Sequence, residues 1–353
     1  MTEGFTYQAA PMRVVFGAGS IDRLRAEAEQ LGLRRALVLS TPSQDALAQR
    51  AAEQLGDLAA GVFGQARMHV PVETAHAAAA AAKAAAADGC VAIGGGSTIG
   101  LGKAVALDLG LPVIAVPTTY SGSEMTPIWG LTEAGRKRTG RDPIVLPRSV
   151  IYDPQLSAGL PLAISGTSAL NAMAHAMEAL YAPDASPIPS VMAEQGVRAL
   201  AAAIPALVAD SADPMARADA LQGAWLCGAC LGATTMGLHH KLAHVLGGTF
   251  DLPHAQTHAV LLPYVAAFTL PRAPRACEIL RRALNTDSPA RAFAHLGELS
   301  GAPGSLAALG LRETDLDDVV EQVIGAAYSA HIPVTPRELR DLLARAWRGL
   351  RVE

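Results

Sequence analysis

Cys90-Val91-Ala92-Ile93-Gly94-Gly95-Gly96-Ser97-Thr98 sets a short apolar run directly against three glycines and two hydroxyl residues. The run reads as a strand and Thr98 as the start of a helical stretch. Glycines at that turn let a backbone approach a pyrophosphate, and the N-terminus of the following helix aims N–H groups at its charge. A plain strand-to-helix turn uses glycine too, so the turn alone does not decide the matter. Gly17-Ala18-Gly19-Ser20 repeats the arrangement after Arg13–Phe16. A second polar loop, Pro117–Glu124, follows the run Val113–Val116 and is dense in hydroxyls. Loops at the carboxyl ends of parallel strands are where such sheets bind ligands. Gly94, Gly95, Gly96, Ser97, Thr118, Thr119, Ser121 and Ser123 are therefore the expected dinucleotide contacts.

Outward from this turn, β-rich runs at Arg13–Phe16, Ala36–Leu39, Val91–Ile93, Val113–Val116 and Val150–Tyr152 alternate with helical segments such as Glu73–Ala87. That alternation predicts βαβ units and a parallel sheet. Beyond Pro154 the β-rich runs nearly vanish and Ala/Leu-rich helical segments dominate. The expected organisation is an α/β dinucleotide-binding domain over residues 1–156 and an all-α domain over 157–353, with the boundary near Asp153 to Gly159. Ala36–Leu39 ends in Ser40-Thr41-Pro42 without an acidic residue. A carboxylate there would bond the ribose 2′-hydroxyl and repel a 2′-phosphate. Its absence puts Thr41 beside the ribose and predicts that both NADH and NADPH are accepted.

The chain has 353 residues, half of them hydrophobic and 17% charged, with 28 Lys+Arg against 32 Asp+Glu. Such a chain buries about two cores. A net charge of −4 without a basic block argues against nucleic acid. The opening MTEGFTYQAAPMRVVFG lacks a basic stretch followed by an apolar run, and no unbroken apolar stretch reaches the roughly 18 residues of a membrane span. A cytoplasmic protein with no membrane partner is expected. Four cysteines are too few and too irregular for a disulfide framework, and Cys227-Gly228-Ala229-Cys230 sits in an apolar helical pattern that suggests buried thiols.

Ten histidines occur, yet His239, His240, His244, His254 and His258 fall within twenty residues. His240/His244 and His254/His258 are each spaced i, i+4 and so share a helical face, the two pairs separated by a break at Gly247-Gly248. Asn171 and His175 repeat the spacing upstream. Three such pairs suit a metal site or an acid/base and anion-binding site, but no carboxylate stands out to offset a divalent ion. Lys241, one of only four lysines, lies inside the cluster and favours an anion. Arg136, Lys137, Arg138 and Arg141 form a local basic patch whose simplest reading is a solvated turn.

Taken together, GGGSTIGLGK (94–103), PTTYSGSE (117–124), NAMAHAMEA (171–179) and HHKLAHVLGG through DLPHAQTHAVLLPY (239–264) resemble the iron-containing alcohol dehydrogenase superfamily, most closely its maleylacetate reductase branch. The resemblance implies the dehydroquinate synthase-like fold, with an N-terminal dinucleotide domain, a C-terminal helical domain and an active site in the cleft between them. It also implies a dicarboxylate substrate, Lys137 near the cofactor, and a homodimer. Three departures from the metal-dependent members bear on the metal. Gly100 and Gly102 replace the Asp and Ala of their glycine loop, Asn171 replaces the Asp of their D-A-x-x-H, and His254-Ala255-Gln256-Thr257-His258 replaces their HG-x-x-N. No metal is expected.

The implied reaction is NAD(P)H-dependent reduction of the C=C bond of maleylacetate, or of chlorinated analogues, in aromatic-compound breakdown. N–H donors at His175, His240 and His254 would stabilise the enolate, Lys241 or a histidine would hold a carboxylate, and His254 or His244 would supply the proton, with His258 in the same catalytic set. A metal-dependent alcohol dehydrogenase, a dehydroquinate synthase-type lyase and a non-catalytic NAD(H) sensor remain as alternatives.

Overall fold

In a computed structural model of the chain, residues 5, 7–10, 12–133, 136–325 and 332–352 are described. From Ala10 to Gly159 the order is β1 (Arg13–Phe16), α1 (Leu24–Gln30), β2 (Ala36–Leu39), α2 (Asp45–Leu55), β3 (Ala59–Phe63), α3 (Val72–Ala84), β4 (Gly89–Gly94), α4 (Gly96–Leu109), β5 (Val113–Pro117), β6 (Ile128–Glu133), β7 (Arg136–Arg141) and β8 (Ser149–Tyr152). Six strands form one parallel sheet in the order β1-β8-β5-β4-β2-β3, and β6 pairs with β7 as an antiparallel hairpin. The five strands expected from β-rich runs are all present. β3 escaped because Ala59-Ala60-Gly61 has neither alternation nor branching. β6 and β7 escaped because Arg136–Arg141 carries four basic residues and reads as a charged turn.

Alternation along the strands divides the core. Ala36, Val38, Val91, Ile93, Ile114, Val116 and Ile151 pack with Leu24, Ala28, Ala48 and Ala51 of α1 and α2. α4 approaches the sheet so closely that a Cβ on Gly102 would lie 3.0 Å from Ala92 Cβ, and one on Gly100 would lie 2.8 Å from Val70 Cγ2. Both glycines that depart from the superfamily loop thus have a packing reason.

From Leu160 onward the second unit is helical, with no strand among the described residues. It runs α5 (Leu162–Ala179), α6 (Pro187–Ala209), α7 (Pro214–Ala233), α8 (Leu238–Phe250), α9 (His254–Thr269), α10 (Pro274–Leu284), α11 (Pro289–Ser300), α12 (Leu316–Gly325) and α13 (Pro336–Arg348). α6 is long and apolar enough by length and composition to cross a membrane, but it packs against α5 and α7, and its Glu194 pairs with Arg198 and Arg282. Cys227 and Cys230 are buried on α7, and burial raises both thiols, Cys230 to about 12.

The break expected at Gly247-Gly248 is displaced. α8 continues through both glycines and stops at Asp251, which adopts the left-handed conformation at φ 54°, before Pro253 caps α9. A Cβ on Gly247 would stand 3.6 Å from Leu252 O, an ordinary contact, so the returning chain does not demand a glycine there.

α5, the most buried helix, packs on α6, α7, α9 and α11. A Cβ on Gly166 would fall 2.0 Å from Ser300 Cβ on α11. Gly166→Ala is expected to destabilise the protein by about 1–3 kcal/mol through overpacking, read as a lower midpoint in thermal unfolding.

Candidate active site

In the first unit three loops gather at the carboxyl ends of adjacent strands. The chain leaves β2 toward β3 and leaves β4 toward β5, so strand order reverses between β2 and β4, where open α/β sheets bind ligands. Gln44, in the turn after β2, donates from Nε2 to Thr118 Oγ1 at 2.9 Å. Cβ atoms on Gly95 and Gly96 would stand 3.1 Å from Thr119 Cγ2 and 3.3 Å from Ser121 Cβ. Gly94 is at φ 152°, a conformation that disfavours side chains, and a Cβ there would meet Thr98 Oγ1 at 2.5 Å and Gln44 Oε1 at 2.7 Å. α4 begins at Gly96 with its N-terminal N–H groups in this loop cluster, an anion-binding arrangement. Thr41, Gly94, Gly95, Gly96, Ser97, Thr118, Thr119, Ser121 and Ser123 therefore lie together.

Two supports were missed in the sequence. Gln44 ties the β2 turn to the β5 loop. Lys103, fully buried, donates to Ser123 O, and to Thr126 Oγ1 and Ile128 O at 2.9 Å each, while burial pushes its ammonium down to about 7. A lysine two helical turns past a glycine loop in an apolar helix was the available signal.

Gly17-Ala18-Gly19-Ser20 does not repeat the phosphate arrangement. The Gly19 and Ile21 N–H groups donate to the Asp153 carboxylate at 3.2 Å each, and Ser20 Oγ donates to Tyr152 O at 2.9 Å. That turn's donors are already satisfied within the chain. Lys137 is half-buried on β7, opposite Thr132, and desolvation lowers its ammonium. Arg138 and Arg141 are exposed, and the Arg136 side chain lies outside the described residues.

In the second unit, α5, α8 and α9 bring all the expected histidines together. Ring centroids lie 4.9 Å apart for His175–His240, His239–His258 and His240–His258, 4.4 Å for His254–His258, and 6.3 Å for His240–His244 and His244–His254. The cluster grades from buried to open: His239, His240, His258 and His175 are buried, His254 is half-buried and His244 is exposed. Burial pushes His239 and His240 down to about 3 and His258 well below the usual imidazole range, so these rings are neutral near pH 7.

The expectation that the cluster lacks a carboxylate is overturned by Glu178. It lies on the α5 face of Asn171 and His175, at i+7 and i+3. Its Oε1 accepts the His239 backbone N–H at 2.7 Å, and its Oε2 accepts those of Gly237 at 3.0 Å and His240 at 3.3 Å. The same Oε2 stands 2.6 Å from His240 Nδ1. Burial raises the carboxyl, and the backbone donors oppose that shift. The signal was a single acid inside NAMAHAMEA, on the face already marked by Asn171 and His175.

Two expected roles change with this geometry. His240 has Nδ1 on Glu178 and Nε2 at 2.7 Å from His175 Nδ1, so neither nitrogen is left for a substrate oxygen. His258 is fully buried with Nδ1 2.9 Å from His239 Nε2, and it stands behind His254. Lys241, half-buried in the first turn of α8, has no ion pair among the described residues. Asn171 Oδ1, His239 Nδ1 and His258 Nε2 are buried without a partner in the chain; because His239 and His258 share one hydrogen bond, one of those two nitrogens is a donor and the other an acceptor.

The residues matched by family models are 11–154, described as iron-containing alcohol dehydrogenase, and 165–347, described as the C-terminal part of the Fe-containing alcohol dehydrogenase family. The chain belongs to the iron-containing alcohol dehydrogenase family. Within that family it is 52% identical to a maleylacetate reductase from Burkholderia cepacia over 347 residues, 98% of this chain and 99% of the relative. The crystal structure of a maleylacetate reductase from Agrobacterium tumefaciens matches with a TM-score of 0.95 at 52% identity, covering 99% of this chain and 100% of that one. An iron-containing alcohol dehydrogenase from Corynebacterium glutamicum matches with a TM-score of 0.95 at 39% identity, covering 99% of each chain.

The family name implies iron, and the donor set here does not fit it. Two nitrogens ligating one tetrahedral ion at about 2.0–2.1 Å stand about 3.3 Å apart, whereas His175 Nδ1 and His240 Nε2 are hydrogen-bonded at 2.7 Å. Asn171 contributes an uncharged oxygen, and no group of three or more His, Cys, Asp or Glu among the described residues is arranged to hold a metal ion.

A side chain at position 95 or 96 would intrude on the turn expected to face the pyrophosphate. Gly95→Val and Gly96→Val are each expected to raise the dissociation constant for NADH by about tenfold or more, at unchanged helical content. Fluorescence titration of NADH with circular dichroism measures both.

Proposed function

We infer that this chain is a maleylacetate reductase, reducing the C=C bond of maleylacetate to give 3-oxoadipate at the expense of NADH or NADPH. The observation that carries the reading is the end-to-end match, at 52% identity, to a maleylacetate reductase. Hydride adds to the alkene carbon β to the ketone, the C=C electron pair moves onto the ketone oxygen as an enolate, and a proton then adds to the α carbon. N–H donors can stabilise an enolate whose charge is already spread by conjugation, so no ion is needed to hold an alkoxide.

The proton comes from His254 or His244. They are the members of the cluster that reach the surface, and a donor must reload from solvent after each turnover. Their rings lie 15° from parallel with centroids 6.3 Å apart. Lys241 pairs with a substrate carboxylate, because no acid among the described residues forms an ion pair with its ammonium. His175 completes the set, and His258 holds His254 in place from behind. A cytoplasmic enzyme acting as a homodimer without a bound metal accompanies this reading. Four free cysteines accord with a reducing compartment.

NADH oxidation on adding maleylacetate, followed with protein treated with EDTA and shown by elemental analysis to lack iron and zinc, tests the reading. Full turnover is expected. Activity lost on chelation and restored by iron would instead place the chain with the metal-dependent members. His254→Ala and His244→Ala test the proton donor. At least one should lose about 10² to 10⁴ in kcat, and near-normal rates in both would refute the assignment.

Thr41 stands in the turn after β2 where a dinucleotide fold that rejects 2′-phosphate carries an acid. NADH and NADPH should both serve, with kcat/KM values differing by less than about 10³. Thr41→Asp should weaken NADPH selectively, and a larger native preference for NADH would contradict this.

A further inference from the structure

We propose that Glu178 is a positioning residue that sets the polarity of the histidine chain, so that His175 presents its Nε2 to the reaction as a proton acceptor. What the enzyme acts on is taken from the reductase reading above; the polarity follows from the hydrogen-bond geometry together with the burial of these groups.

Four donors surround the Glu178 carboxylate. Three are backbone N–H groups, of Gly237, His239 and His240, which can only donate. The fourth contact is His240 Nδ1, at 2.6 Å from the oxygen that already accepts two of those N–H groups. A carboxylate with that surround accepts, and the proton between it and His240 sits on Nδ1. The opposite polarity requires a carboxylic acid donating to Nδ1 while its oxygens still receive three N–H bonds, which favour the ionised form.

The rest of the chain follows from counting protons. A neutral imidazole carries one, and burial keeps His240 neutral. With that proton on Nδ1, His240 Nε2 is a lone pair, and the 2.7 Å contact to His175 Nδ1 needs a proton from His175. His175 Nδ1 then carries the N–H, and in the neutral ring Nε2 is the acceptor. A carboxylate that fixes the tautomer of a catalytic imidazole through Nδ1–H is the arrangement of the serine protease triad; here the effect passes through one imidazole to a second.

This polarity divides the cluster by function. His175 cannot donate a hydrogen bond to an enolate oxygen; it accepts one from a water or from a substrate hydroxyl, or takes up a proton. Donation to the enolate is left to rings outside the Glu178 chain. Asn171, His175 and Glu178 share one face of α5, so the helix itself holds the acceptor, the neutral oxygen beside it and the residue that orients it.

The test is a long-range 1H–15N correlation spectrum of the full-length enzyme labelled with 15N-histidine, with His175 and His240 assigned from His175→Gln and His240→Gln. Both rings are expected to show a protonated Nδ1 and a bare Nε2. A protonated Nε2 with a bare Nδ1 on either ring would overturn the proposal. Glu178→Gln supplies the kinetic arm: the charge that polarises the chain is gone, and the amide group must face at least one N–H donor. A fall in kcat of about tenfold or more, with KM for maleylacetate changed by less than about threefold, is expected. Wild-type kcat in a folded Glu178→Gln enzyme would refute it. Should that variant fail to fold, the wild-type spectrum decides alone. If the wild-type enzyme leaves maleylacetate unreduced, the reductase reading falls while the ring spectra still decide the polarity.

Discussion

A single buried carboxylate, Glu178, holds the start of α8 against α5, and the histidine cluster depends on it. Burying a charge is costly unless its acceptor sites are filled. Here they are filled by three N–H groups at the start of α8, which have no partner inside their own helix. Two problems are solved together: the helix start gains acceptors, and the carboxylate gains donors without a counter-cation. Because His239 and His240 occupy the first turn of α8, this contact also decides where their rings stand. Charge-assisted bonds are about twice as strong as neutral ones, which suits a junction that must keep imidazoles in register across three helices.

Burial then acts on the imidazoles. Six histidines protonated together would repel one another; rings that are desolvated and neutral can instead hydrogen-bond in pairs. His175 with His240 and His239 with His258 do so, at 2.7 and 2.9 Å. His175 Nδ1 and His240 Nε2 close on each other, and Asn171 brings an uncharged oxygen to the α5 face that carries His175. Exposure rises from the buried rings of His239, His240, His258 and His175 to the half-buried His254 and the exposed His244.

The first unit works by close approach instead of charge. Its loop cluster exists because Gly94, Gly95 and Gly96 let the turns after β2, β4 and β5 meet without side chains between them. Lys103, buried under the β5 loop, adds rigidity by donating to three oxygens around residues 123–128. The superfamily motif is recognisable here despite Gly100 and Gly102, because those changes relieve local packing against Val70 and Ala92 and leave the turn itself intact.

Periodicity and local chemistry were enough to show the alternating first unit, the helical second unit, the glycine turn at 94–96 and the three i, i+4 pairs on α5, α8 and α9. Each is a short-range pattern, imposed by backbone geometry within a few residues. The hairpin Ile128–Arg141 was not legible, because its basic second strand follows no buried face. Nor was the satisfied turn at Gly19, whose donors are taken by Asp153, more than a hundred residues away in sequence. The sequence by itself determined which residue types are available to the site. Only the tertiary structure decided that Glu178 belongs to it, that both His240 nitrogens are occupied and that His258 stands behind His254. These are facts of long-range contact: a hydrogen bond between residues 178 and 240 has no signature in the spacing of either segment, since it depends on how α5 and α8 pack.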